Sequence, residues 1–286
     1  MSRPTTRIDD LVPAEFAIPC ETLTFRSLPL DCFRFPDSIV DSSRALVCIP
    51  GFAAGGRSFA RLRPLSTRFD VRMISIPCET TYPGDTIEAL AGITADLIAT
   101  LDRPVLLGTS FGGLVAIRVA AMLGERISGL VLIAAFPGGR FLPTAGGLTA
   151  LPLVQYLSPL LAPVTTRFVG GRLDRSALRA VIVEARSIPA SERSRRLQTI
   201  FATDFSPLLP SISVPALVIH GTRDRLVPRS AARALAGGLP NATYREMVKA
   251  AHLPHVTHAG EIIGILRPFL EEVLTPGGAT EVTSDV

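Results

Sequence analysis

No apolar run in the sequence approaches the roughly 20 residues that a bilayer-spanning helix requires. The longest, Gly129 to Phe136, suits a buried strand, and an integral membrane protein is not expected. Charge is scarce as well: 19% of the 286 residues are charged while 47% are hydrophobic, against about 25% charged in an ordinary soluble domain. That composition excludes a disordered chain, which lacks the apolar surface to offset its ordering entropy. Lysine is nearly missing, with Lys249 the only one, so the net charge of +4 rests on arginine. So small an excess, spread along the chain, is no footprint for nucleic acid. The four cysteines, Cys20, Cys32, Cys48 and Cys78, form no C-x-x-C pair. A zinc ribbon is thereby excluded, and free cytosolic thiols are the expected state. Met1 to Asp10 is polar, carries both signs and has no apolar segment of the signal-peptide type, so a cytoplasmic location is expected.

What is present is an alternation of strands and helices. Glu21 to Arg26 and Leu30 to Phe35 read as an antiparallel hairpin at a sheet edge. Strands are then expected over Ala45 to Ile49, Val71 to Ile76, Pro104 to Leu107 and Ile127 to Ala135, with helices over Ser58 to Ser66, Thr86 to Leu101 and Phe111 to Leu123. Continuous apolar strands linked by amphipathic helices are what a parallel sheet covered on both faces requires, so the fold class is α/β, doubly wound and mostly parallel. The alternation breaks at Phe136, and helices are expected over Leu148 to Leu161, Asp174 to Ser187 and Ser191 to Thr203. It resumes with strands Ala216 to His220 and Thr243 to Val248, a helix Ser230 to Leu239 between them, and a last helix from His255 to Leu274. The expected organisation is a core over 1–136 and 206–274, a helical cap over 137–205 and a disordered tail over 275–286.

The segment from Pro104 to Ile117 contains Gly108-x-Ser110-x-Gly112, with an apolar strand before it and an apolar helix after it. A serine on so tight a strand-to-helix turn has a strained backbone, and side chains two residues to either side would collide. Glycine at both places removes the collisions and lets the hydroxyl project above the sheet. The helix that follows aims its N-terminal amides where negative charge develops. A plain glycine-rich turn is the bland alternative. A Walker loop fails because no Lys-Ser/Thr pair follows the glycines, and the G-x-G-x-x-G spacing is absent.

A serine hydroxyl needs a base, and the base needs an orienting partner. In the chain order Ser, acid, His, the base lies after the last strand, where Lys249-Ala-Ala-His252-Leu-Pro254 supplies His252. His255 and His258 fall at the start of the last helix, where exposure or packing is the expected role. His220, ending a strand, suits a position beside the pocket. These histidines lack metal-ligand spacing. The acid is expected at Asp224, just beyond the strand ending at His220, although an aspartate between Arg223 and Arg225 could form only a surface salt bridge. The segment after the preceding core strand, Ala134 to Phe141, holds no acid. The turn Pro50-Gly51-Phe52 follows the first core strand, and Gly51 would let the Phe52 amide face Ser110 beside the amide of Phe111.

With these segments the chain resembles the α/β-hydrolase superfamily, of the small capped serine esterase type, over about Leu46 to Leu274. The resemblance rests on Gly108-Thr-Ser-Phe-Gly-Gly113, on Val214 to Asp224 and on Ala251-His-Leu-Pro254. It implies that Ser110, Asp224 and His252 form a catalytic triad and that Phe52 and Phe111 are the oxyanion donors. Serine at the elbow separates the chain from haloalkane dehalogenases and epoxide hydrolases, which use a carboxylate there. Two departures stand out. Pro50-Gly51 replaces the frequent His-Gly, and Pro77 to Gly84 replaces an Asp-x-x-Gly-x-Gly-x-Ser stretch.

The expected activity is cofactor-free and metal-free hydrolysis of a small-molecule carboxylic ester through an acyl-enzyme. Leu148, Leu151, Leu153, Val154, Tyr156 and Leu157 of the cap could line an acyl channel or simply pack. The alternative is a thioesterase or acyltransferase on a phosphate-bearing acyl carrier, met by Arg167, Arg172, Arg175, Arg179, Arg186, Arg193, Arg195 and Arg196. A solvated helical face is the plainer reading of those arginines. A non-catalytic ligand-binding protein on the same fold is the alternative of a different class.

Overall fold

The computed structural model describes residues 12–25, 28–75, 86–142, 171 and 173–275. Several expectations lie outside them: the polar start Met1 to Asp10, Cys78 with the Pro77 to Gly84 stretch, the helix Leu148 to Leu161 with its lining residues, Arg167, Arg172 and all but the first residue of the tail.

Eight strands form one sheet: β1 (Cys20–Phe25), β2 (Leu28–Arg34), β3 (Ala45–Ile49), β4 (Asp70–Ile74), β5 (Val105–Thr109), β6 (Gly129–Ile133), β7 (Ala216–Gly221) and β8 (Ala242–Met247). Their order is β1-β2-β4-β3-β5-β6-β7-β8. The first pair is the expected antiparallel hairpin at the edge, β2 joins β4 antiparallel, and every other pairing is parallel. Helices α1 (Thr86–Ile98), α2 (Phe111–Leu123), α3 (Arg175–Ser187), α4 (Ala190–Ala202), α5 (Arg229–Gly238), α6 (Pro254–Thr257) and α7 (Ala259–Leu274) complete the described elements with short 3-10 turns. This is the doubly wound, mostly parallel α/β architecture that the alternation predicts.

The central strands are buried on both faces, which is why they read as unbroken apolar runs. Val47, Ile49, Leu106, Leu130 and Val218 pack on one side with α1, α2 and α5. Leu46, Leu107, Val131 and Ile219 point the other way, toward Phe59, Leu62, Leu266 and Leu270.

Two expected helices differ in form. Ser58 to Ser66 is instead a 3-10 helix over Gly56–Leu65 with Pro64 inside it, a residue with no N–H for an α-helical bond. The last helix is broken at His258 (φ −131°, ψ 40°). There Thr257 Oγ1 bonds both the Leu253 carbonyl (3.0 Å) and His258 Nδ1 (2.8 Å), local bonding that competes with helix continuation.

Among the described residues, no helix is long and apolar enough to cross a membrane. The loops after β3, β5, β7 and β8 all leave the carboxyl ends of parallel strands, the edge where open α/β sheets form their sites.

Candidate active site

Ser110 follows β5 directly and caps α2 with φ 51° and ψ −117°, a left-handed backbone that a side chain rarely adopts. The flanking glycines are sterically required. A Cβ on Gly108 would lie 2.5 Å from the Gly112 carbonyl oxygen, and one on Gly112 would lie 2.3 Å from the oxygens of both Ile49 and Pro50. The turn is therefore pressed against the end of β3, the strand that leads into Pro50-Gly51-Phe52. The Ser110 amide donates to the Ile133 carbonyl at 3.0 Å, tying the turn to β6.

His252 and Asp224 arrive from the loops after β8 and β7. His252 Nε2 is 3.0 Å from Ser110 Oγ, and His252 Nδ1 is 2.8 Å from Asp224 Oδ2. The other carboxylate oxygen of Asp224 accepts the amides of Leu226 (2.8 Å) and Val227 (3.0 Å). Its side chain is fully buried, so it is no surface salt bridge despite flanking arginines. Burial alone would push its carboxyl up, but His252, the Val227 amide and His220 together hold it below the usual carboxylate range. The three residues expected to meet are thus brought into one hydrogen-bonded chain.

The Phe52 and Phe111 amides lie at the turn after β3 and at the first position of α2. Among the described residues, neither donates a hydrogen bond to another protein group. A pocket opens over Ser110, bordered by Phe52 and His252 and walled by Leu142, Val181, Ile200 and Val227. Leu142, Val181 and Ile200 belong to the 137–205 segment, with Val181 on α3 and Ile200 on α4.

The remaining histidines separate. His255 is buried at the start of the last helical stretch, borders the cavity and stacks on Phe59 with ring centroids 5.3 Å apart. Burial, with help from His252, pushes its pKa down to about 3, so it stays neutral. His220 is buried at the end of β7, and burial lowers its pKa too. His258 bonds its neighbour Thr257.

Three charged residues of the 137–205 segment, Glu184, Glu192 and Arg196, lie beside the turn after β3. Glu184 on α3 accepts the Gly55 amide at 3.1 Å, and burial pushes its carboxyl up to about 7. Arg196 on α4 donates to the Phe52 carbonyl at 3.0 Å and is held by Glu192 at 2.5 Å. Arg193 is buried as well and donates to the Ala185 and Ile188 carbonyls, so Arg193 and Arg196 face inward and not toward a carrier phosphate. Their signal was spacing: Glu192, Arg193, Arg196 and Ile200 fall on one helical face, and Ile200 marks it as the inner one.

Comparison with known proteins decides the lineage. The alpha/beta hydrolase family matches residues 46–264. The chain belongs to this family. A pimeloyl-[acyl-carrier protein] methyl ester esterase from Xanthomonas oryzae pv. oryzae is 31% identical over 251 residues, spanning 82% of this chain and 98% of the relative. One from Serratia marcescens is 27% identical over 245 residues, 82% of this chain and 96% of the relative. Among solved structures, a carboxylesterase from Bacillus subtilis superposes with a TM-score of 0.76 at 17% identity, over 92% of this chain and 95% of its own. An esterase from Rhodococcus sp. ECU1013 gives 0.74 at 19%, over 90% and 99%. At these identities the two structures bear on the fold alone, which is the α/β-hydrolase fold.

Proposed function

We propose that this α/β hydrolase is a carboxylic ester hydrolase that works through an acyl-enzyme on Ser110. The observation that carries the reading is the chain Ser110 Oγ, His252, Asp224, with contacts of 3.0 and 2.8 Å. Ser110 Oγ attacks the ester carbonyl carbon as His252 Nε2 takes its proton. The ionised Asp224 holds the Nδ1–H and favours the imidazolium that forms. The carbonyl oxygen becomes an oxyanion facing the Phe52 and Phe111 amides, donors that need no reorganisation because no other described group occupies them. His252 then protonates the departing alcohol, next deprotonates a water that attacks the acyl carbon, and finally returns the proton to Ser110. The 137–205 segment acts as the cap of a core formed by 1–136 and 206–274.

The substrate class follows from the relatives and from one surface of the cap. The relatives named above act on a methyl ester of an acyl group borne by acyl carrier protein. On α3 the exposed Arg175, Arg179 and Arg186 border a groove with Leu178, Ile182 and Val183, a face suited to a phosphate on an apolar tether. The ester to be cleaved is then at the far end of a chain whose carrier thioester survives. Incubating the protein with an acyl-carrier methyl ester, and assaying methanol and free thiol separately, tests this. Methanol without thiol is expected. Thiol release would make the enzyme a thioesterase, and absence of a fluorophosphonate adduct at Ser110 would leave it a non-catalytic binder.

A further inference from the structure

We infer that Arg196 is a positioning residue for the oxyanion hole, acting from within the 137–205 segment by holding the Phe52 carbonyl, one peptide plane beyond the donor amide. The inference rests on the reading that the Phe52 and Phe111 amides receive the oxyanion.

The side chain of Arg196 is fully buried, with Glu192 beside it at 1% exposure. Its guanidinium touches both residues of the hole: Nη1 donates to the Phe52 carbonyl at 3.0 Å, and the group lies over the Phe111 ring, 5.9 Å from its centroid. Nε donates to Glu192 one helical turn back, so Arg196 is aimed before it reaches Phe52. A buried ion pair is a poor packing device, because two charges must leave water and an apolar pair of similar volume is often as stable or more so. What the pair supplies, and methionine or leucine would not, is a directed donor at one carbonyl. That donor holds the orientation of Phe52 within the loop.

The loop needs such a hold. Gly51 precedes Phe52 and restrains it little. Further along, Glu184 takes the Gly55 amide at 3.1 Å. Two buried side chains, a carboxyl on α3 and a guanidinium on α4, therefore grip an amide and a carbonyl of the same short turn. Oxyanion donors are effective only when they already point at the developing charge. Displacements of about 1 Å can cost on the order of a hundredfold in rate.

The test uses the full-length protein with three changes: Arg196→Lys, which keeps the charge but loses the two-pronged reach, Glu192→Gln, and the double change Arg196→Met with Glu192→Met, which keeps volume and removes both charges. Turnover of a short aryl ester is measured per active site, with sites counted by fluorophosphonate labelling taken to completion. Inhibition by a trifluoromethyl ketone, which forms an oxyanion on the serine, is measured alongside. For the double variant, kcat per site is expected to fall about tenfold or more, with KM within about threefold and the ketone Ki raised by the factor lost from kcat. A kcat per site within about threefold of the parent, whatever the melting temperature, overturns the inference, as does a fall in kcat that the ketone does not follow. If the double variant does not fold, Arg196→Lys is judged by the same two criteria. Failure of the underlying catalytic reading shows elsewhere, as absence of labelling at Ser110 in the parent.

Discussion

Asp224 and His252 meet at 2.8 Å although they lie on loops after different strands, and the aspartate side chain is wholly shielded from solvent. The contact sets which ring nitrogen carries the proton, leaving Nε2 free to accept from Ser110. Asp224→Asn keeps the shape and the bonds from Leu226 and Val227 but offers the wrong partner to Nδ1. Its kcat is expected to drop by about 10⁴-fold with the melting temperature little changed, checked by ester turnover beside a thermal melt.

Gly112→Ala is expected to damage folding and chemistry together. The added methyl would sit 2.3 Å from two main-chain oxygens at the end of β3. Neither oxygen can retreat without moving the turn that carries Phe52. A loss of about 1–3 kcal/mol by denaturant titration is expected, with weaker fluorophosphonate labelling at equal protein. Unchanged values in both would mean that the elbow is not packed against β3 as described.

Glu184 predicts an alkaline weakness. The fold holds its acid at about 7 against 4.5 when unperturbed, because burial outweighs the Gly55 amide and the nearby Arg57. The native state therefore keeps the proton that the unfolded chain gives up. Stability from this group is full below pH 4.5, declines as pH climbs toward 7 and levels off above. Glu184→Gln imitates the protonated acid. It is expected to match the parent at low pH and to melt a few degrees higher at pH 8, at ~2–4 °C per kcal/mol for a chain of this size.

His255 predicts the opposite limb. The native imidazole resists protonation until about pH 3, whereas the unfolded chain takes the proton near 6.5. Its contribution is intact above 6.5 and is lost as pH falls below that value. His255→Phe preserves a ring against Phe59 and removes the titration. The difference in melting temperature between variant and parent should shift in favour of the variant between pH 7 and pH 4. A difference that stays constant would show that the ring gains its proton freely.

The centre of the sheet was legible because its strands are buried on both faces, and such strands have no choice but to be apolar throughout. β3 and α2 match their expected bounds to the residue. The site was legible where backbone geometry dictates residue type, as at Gly108 and Gly112, and where chain order leaves few candidates, as with four histidines. Arg196, Glu192 and Glu184 escaped because charge on a helix is ordinarily a solvent signal. Only the partner turn, more than a hundred residues earlier, makes an inward charge tolerable. The 3-10 form of Gly56–Leu65 escaped for a different reason: amphipathic spacing over so short a stretch does not distinguish the tighter helix from the wider one.

The unusual dihedral of Ser110 has a corollary for protein engineering. A left-handed serine stores on the order of 1–3 kcal/mol, which glycine in the same place would release. Heat tolerance and turnover thus pull in opposite directions at this residue. A selection for survival at high temperature, run without an activity screen, would be drawn toward discarding the hydroxyl that the proposed acyl-enzyme requires.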